Sequence, residues 1–175
     1  IPMMILILGQ NSSGKSLYAE KTACAMAKRK LYYIATMIPH GQDGTERIAR
    51  HRAQRTGKGF ITIESPYADA AVDTKGTVLL EDVSNLLANL MFESGSLYPE
   101  STALSQINKL RDAAENLIIV SIHGLNTADG DNDETKAYIC MLNHINQQLW
   151  SMADVVVEMT DHVPTFRKGE NKWVQ

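Results

Sequence analysis

The chain has 175 residues, of which 44% are hydrophobic and 21% charged, so it is long enough to bury a sizeable core and too apolar to be disordered throughout. Lys and Arg total 17 and Asp and Glu total 20, which leaves a formal net charge of −3 and disfavours a protein dedicated to binding a nucleic-acid backbone. The two cysteines, Cys24 and Cys140, exclude a disulfide framework and a cysteine-rich zinc module, and they fit a reducing compartment.

The first element in chain order is a continuous apolar run over residues 3–8, which stops at Gly9. This run is far shorter than the roughly 20 residues that a membrane-spanning helix needs. It also lacks the charged leader and cleavage site of a signal peptide. We therefore predict a buried strand here, no membrane span and a cytoplasmic location.

Short apolar runs and amphipathic stretches alternate along the rest of the chain. Continuous apolar runs favour strands covered on both faces, and they occur at residues 31–35, 60–63, 78–80, 117–122 and 154–158. Helices are predicted at residues 14–30, 45–56, 84–93, 100–116 and 134–152, the last with apolar residues at helical spacing. This alternation predicts an α/β fold with a mostly parallel sheet, and residues 1–175 form one domain.

The C-terminal third carries weaker signals. Residues 163–166 and 173–174 predict a closing hairpin, with residues 167–171 as its turn. The acidic stretch 129–134 lacks the spacing of an EF-hand and is interpreted as a solvated loop. Four histidines lack metal-ligand spacing and are interpreted as surface or core residues: His40, His123, His144 and His162.

A phosphate-binding pattern follows the first strand. The pattern G-x-x-x-x-G-K-[ST] is matched by Gly9, Gln10, Asn11, Ser12, Ser13, Gly14, Lys15 and Ser16. The segment leaves a predicted strand and opens a predicted helix, as the mechanism requires, and this predicts a three-layer domain of the P-loop NTPase kind. Backbone N–H groups of the loop and of the helix N-terminus bind the anion. Lys15 is predicted to contact the β- and γ-phosphates of ATP or GTP, and Ser16 to ligate Mg²⁺.

An acidic pair, Glu81 and Asp82, follows the buried run 78–80. A phosphate loop needs a carboxylate at the end of another buried strand to hold the metal through water. Either residue can supply that carboxylate, and the sequence leaves the choice open, although Glu81 ends the run directly. The alternative interpretation is an acidic pair where a strand emerges into solvent.

A cationic segment lies at residues 45–56. On a helix, Arg47, His51 and Arg55 fall on one face at i, i+4 and i+8, and two further arginines flank His51. One interpretation is a solvated basic face. The other is a second anchor for nucleotide phosphates, in which neighbouring cations disfavour the imidazolium form and a neutral imidazole acts as a nucleophile towards phosphorus.

Several segments agree in order and spacing with one known family: residues 4–9, 13–16, 19–20, 31–36, 47–48 with His51, 78–81, 85–92, 146–149 and 153–154. The Tyr-Ile-Ala-Thr segment at residues 33–36 is the most family-specific of these. On these residues the chain resembles the bifunctional adenosylcobinamide kinase/adenosylcobinamide-phosphate guanylyltransferase family of cobalamin biosynthesis.

The resemblance implies two linked reactions. The enzyme would phosphorylate adenosylcobinamide, a corrinoid, with ATP or GTP, and would then transfer GMP from GTP to that phosphate through a guanylyl-histidine. His51 matches the histidine, Lys15 is the second catalytic group, and Arg47 and Glu81 are expected beside the nucleotide. The resemblance also implies an α/β P-loop fold and a homotrimer.

One stretch departs from the family pattern. Residues 122–125 read Ile-His-Gly-Leu where the family usually carries Asn-Glu-Val-Gly. Two alternatives therefore stay open: a P-loop small-molecule kinase with another acceptor and no guanylyl step, and a non-catalytic nucleotide-binding module.

Overall fold

A computed structural model describes residues 2–174, and its framework is a seven-stranded sheet. The strands are β1 (Met3–Gly9), β2 (Leu31–Ala35), β3 (Ile61–Glu64), β4 (Thr77–Glu81), β5 (Asn116–Ile122), β6 (Val155–Thr160) and β7 (Val163–Lys168). The helices are α1 (Lys15–Met26), α2 (Gly41–Arg55), α3 (Val83–Ala88), α4 (Pro99–Ala113) and α5 (Asp133–Met152). A π-helical turn, Asn89–Glu93, continues α3, and a 3-10 turn, Thr127–Asp129, precedes α5.

The sheet order is β3-β2-β4-β5-β1-β6-β7, and only β7 runs antiparallel to its neighbour. Alternate residues of the strands point to opposite faces and pack into two core layers. One layer includes side chains of α1, and the other includes side chains of α3, α4 and α5. The predicted three-layer α/β fold with a mostly parallel sheet is thereby confirmed.

The strand order creates a crevice above the carboxyl ends of the strands. Helix α1 follows β1 on one face, whereas α5 follows β5 on the opposite face. In open α/β sheets, ligands bind outside the carboxyl ends of the strands where the winding changes direction. The loops that follow β1 and β4 lie at this position.

The C-terminal hairpin was predicted with the wrong partner. Strand β7 pairs with β6 rather than with residues 173–174, and its turn consists of Asp161 and His162, whose φ angles are 47° and 66°. Such positive φ angles suit a tight two-residue hairpin. Strand β6 needed a partner on its outer edge, and β7 supplies it.

Strand β3 and helix α2 also differ from the predictions. Strand β3 is paired on one side only, and most of its side chains are exposed, so the run predicted to be covered on both faces is an edge strand. Helix α2 begins at Gly41 rather than at residue 45, so it also includes the polar residues before the arginines. None of the helices that the structure describes is long and apolar enough to cross a bilayer.

The core layer beneath α5 offers a test of the fold. Leu149 is 0% exposed, so Leu149→Ala is expected to lower the free energy of unfolding by about 2–5 kcal/mol. Leu97 is 87% exposed, and Leu97→Ala should change that energy by less than about 0.5 kcal/mol. Urea unfolding of the two variants and the wild type gives both values, and equal losses would contradict this packing.

Candidate active site

A cavity of about 770 Å³ opens at the crevice above the carboxyl ends of the strands. The residues predicted for the site that line it are Asn11, Ser12, Ser13, Gly14, Lys15, Ser16, Arg47, His51, Arg55, Glu81 and Asp82. Gly9 and Gln10 lie in the same loop but do not line the cavity. Its size falls in the range of small-molecule sites.

Two glycines allow the loop to take its shape. A Cβ atom on Gly9 would lie 2.3 Å from Ser13 Oγ, and one on Gly14 would lie 2.5 Å from His162 Nδ1. Gly14 also has a φ of 88°, a left-handed conformation that glycine adopts without strain. Within the described chain no side chain caps the N-terminus of α1, so its N–H groups can meet an anion.

Lys15 crosses the inside of the loop. Its Nζ atom donates a hydrogen bond to the Gln10 carbonyl oxygen at 3.1 Å, and the side chain is largely buried. Burial lowers the pKa of Lys15, and the nearby carboxyl groups of Asp82 and Glu81 oppose that shift. The ammonium group is therefore held at the loop, where a phosphate would be its natural counter-ion.

Glu81 links the loop to the sheet. Ser16 Oγ donates to Glu81 Oε1, and the Tyr33 hydroxyl donates to Glu81 Oε2 at 2.6 Å. Burial, followed by the neighbouring Glu81, raises the pKa of Tyr33, so the phenol keeps its proton. Hydroxyl and carboxylate oxygens are the ligands that Mg²⁺ prefers, together with substrate phosphates and water.

Asp82 has a structural partner instead. Its Oδ1 atom accepts hydrogen bonds from the Asn85 N–H and from Ser84 Oγ, both at 2.8 Å, which caps the N-terminus of α3. Burial raises the pKa of Asp82. Of the two carboxylates that the sequence left open, Glu81 is the one in contact with Ser16.

Helix α2 also lines the cavity. His51 is half-buried there, and Arg47 is more exposed. The end of the helix is anchored, because Gln54 donates to Glu20 on α1 and the Arg55 guanidinium carbon lies 3.9 Å from the centre of the Tyr33 ring. Arg47, His51 and Arg55 of the cationic face thus line the same cavity as the phosphate loop.

Tyr33 and His162 are among the cavity-lining residues that the sequence does not predict. The sequence pattern predicts no role for Tyr33, and it indicates a surface or core position for His162. His162 lines the cavity, and its N–H donates to the Ser13 carbonyl at 2.9 Å. Only the correct pairing of β6 with β7 would have brought His162 to the loop. His40, His123 and His144 do not line the cavity.

Comparison with protein-family models gives a match over most of the chain. The model of a family described as cobinamide kinase/cobinamide phosphate guanyltransferase matches residues 5–165. No curated protein matches the chain.

Solved structures show the fold. An ATPase from the type III secretion system of pathogenic bacteria has a TM-score of 0.55 and 16% identity, over 91% of this chain and 52% of its own. A KaiC-like protein from the archaeon Pyrococcus horikoshii has a TM-score of 0.53 and 11% identity, over 96% of this chain and 79% of its own. The chain thus spans about half the length of the first protein. The likeness confirms the P-loop NTPase fold.

Proposed function

Because the chain belongs to the cobinamide kinase/cobinamide phosphate guanyltransferase family, we propose that it phosphorylates adenosylcobinamide and then guanylylates the product in cobalamin biosynthesis. ATP or GTP supplies the phosphoryl group, and GTP supplies GMP. One observation carries the proposal: Lys15 of the phosphate loop and His51 of α2 line the same cavity. A single nucleotide site can then serve both reactions.

In the kinase step, the terminal hydroxyl oxygen on the aminopropanol arm of adenosylcobinamide attacks the γ-phosphorus. The bond to the bridging oxygen breaks, the nucleoside diphosphate leaves, and the hydroxyl proton passes to solvent. Lys15 and the loop N–H groups bind the phosphate oxygens and stabilise the charge that develops on them. Ser16 and Glu81 are the residues that would hold Mg²⁺, which neutralises charge on the phosphates when bound. Positioning and electrostatics account for most of the catalysis in this class of reaction.

In the guanylyl step, a neutral His51 imidazole nitrogen attacks the α-phosphorus of GTP and pyrophosphate leaves. A phosphate oxygen of the corrinoid then attacks the same phosphorus, and the bond to the histidine breaks. The covalent intermediate splits one difficult transfer into two easier ones. Arg47, on the same face of α2, is suited to bind the phosphates during both transfers.

The test supplies the protein with Mg²⁺ and either γ-labelled ATP or α-labelled GTP, with and without adenosylcobinamide. We expect γ-label on the corrinoid, α-label on the protein without acceptor, and α-label on the corrinoid once it is phosphorylated. Phosphoryl transfer to another acceptor without α-label would favour a different small-molecule kinase. Tight nucleotide binding with no transfer at all would favour a binding module.

The proposal also includes a homotrimer in the cytoplasm. Light scattering on the purified protein measures the mass of the assembly. A monomer at micromolar concentration would contradict this part of the proposal.

A further inference from the structure

The Tyr33 hydroxyl holds one of the two carboxylate oxygens of Glu81. We propose that Tyr33 is a positioning residue, which orients Glu81 for the Mg²⁺ that accompanies the nucleotide. This inference rests on the proposed function, since it takes Ser16 and Glu81 as the residues that hold the metal. It gives a role to a buried hydroxyl that the two transfer steps do not use.

The sheet register brings the two side chains together. Strands β2 and β4 are parallel neighbours, with Ala35 opposite Glu81 and Tyr33 opposite Leu79. Residues two apart on a strand share a face, so Tyr33 lies diagonally across from Glu81. An aromatic side chain can span this diagonal, and the hydroxyl reaches Glu81 Oε2 at 2.6 Å.

The Tyr33 ring is fixed on two sides. Phe60 packs edge-to-face against it, with ring centres 5.7 Å apart and planes at 86°. The Arg55 guanidinium carbon lies 3.9 Å from its centre. The side chain is 3% exposed, so its hydroxyl has little freedom to move.

The hydrogen bonds of Glu81 divide its two oxygens between two partners. Tyr33 donates to Oε2, whereas Ser16, the residue that would share the metal with Glu81, donates to Oε1. The Tyr33 contact thereby fixes the rotation of the carboxylate and turns Oε1 towards the phosphate loop. Loss of an outer partner of a metal ligand typically costs about ten- to a hundredfold in metal affinity. Because Glu81 holds the metal through water, Tyr33 acts one hydrogen bond further out, and the lower end of that range, about tenfold, is expected.

The test is Tyr33→Phe, which removes the hydroxyl and keeps the ring. Binding of a fluorescent GTP analogue is titrated with Mg²⁺. We expect the Mg²⁺ concentration that gives half of the Mg²⁺-dependent gain in analogue affinity to rise about tenfold, with unchanged analogue binding in EDTA. Tyr32→Phe is the matched control, because the neighbouring Tyr32 ring belongs to the opposite core layer, and it should behave as the wild type.

A second variant separates positioning from a general loss of structure. If Tyr33 acts through Glu81, the double variant Tyr33→Phe/Glu81→Gln should need the same Mg²⁺ as Glu81→Gln alone. A double variant in which the two substitutions raise the Mg²⁺ requirement additively would overturn the inference. So would a Mg²⁺ requirement in Tyr33→Phe equal to that of the wild type. Nucleotide binding by the wild type that does not depend on Mg²⁺ would overturn it as well. The proposed function fails in the corrinoid assay instead, so the two failures are distinguishable.

Discussion

The variant His51→Ala is expected to lose the protein-bound GMP label completely. An alanine has no nitrogen to attack the α-phosphorus, so the covalent intermediate cannot form. Nucleotide binding should change far less, because Lys15 and the N–H groups of the phosphate loop, which bind the phosphates, are unchanged. The measurement is acid-labile radioactivity on the protein after incubation with α-labelled GTP and Mg²⁺, beside the affinity for a fluorescent GTP analogue.

The control for this variant is His144→Ala. His144 pairs with Glu100 and does not line the cavity, so its replacement removes an imidazole without touching the site. It should label as the wild type does. A persistent label in His51→Ala would show that another group carries the GMP, and His162, which lines the same cavity, would then be the next residue to replace.

The variant Lys15→Ala is expected to lose most triphosphate affinity or turnover. The ammonium group lies against the loop at 3.1 Å from the Gln10 carbonyl oxygen, and removing a charged hydrogen bond costs about 1.5–3 kcal/mol, which is about ten- to a hundredfold. Titration with the fluorescent analogue gives the affinity, and γ-phosphoryl transfer gives the turnover.

Lys21→Ala is the matched control for Lys15→Ala. Lys21 lies on the same helix and is exposed to solvent, so its loss changes the net charge equally without a contact to phosphate. Its affinity should stay within twofold of the wild type, since single exposed charges are strongly screened. Full activity in Lys15→Ala would contradict the assignment of the phosphate loop.

Local patterns were enough to predict much of the fold. The phosphate loop is predictable because eight consecutive residues match its pattern and the flanking segments predict a strand before it and a helix after it. Strands β1, β4 and β5 were predicted because strands covered on both faces are continuously apolar. The edge strand β3 has similar composition but no neighbour on one side, and composition does not record which strand lies at the edge.

Local patterns also predicted part of the candidate site, whereas the rest depends on contacts between distant residues. Helical spacing predicted that Arg47 and His51 share one face of a helix. The position of Glu81 at the end of a buried run predicted that it lies at the carboxyl ends of the strands. Neither pattern could rank Glu81 above Asp82, because the difference is that Asp82 caps α3 whereas Glu81 meets Ser16. That choice depends on contacts between β4 and α1, which are far apart in the chain.

The sequence by itself determined the class of fold, because apolar runs and amphipathic stretches alternate along the chain. It also determined the phosphate loop and the cationic face of α2, because the residues of each lie close together in the chain. Only the tertiary structure decided that α2 shares a cavity with the loop, that Tyr33 on β2 reaches Glu81 on the neighbouring β4, and that the β6–β7 turn brings His162 against Gly14. These contacts join residues from distant parts of the chain, and they arise from the order and the register of the strands. Strand order and register do not produce a periodic pattern in the sequence, so local patterns cannot predict them.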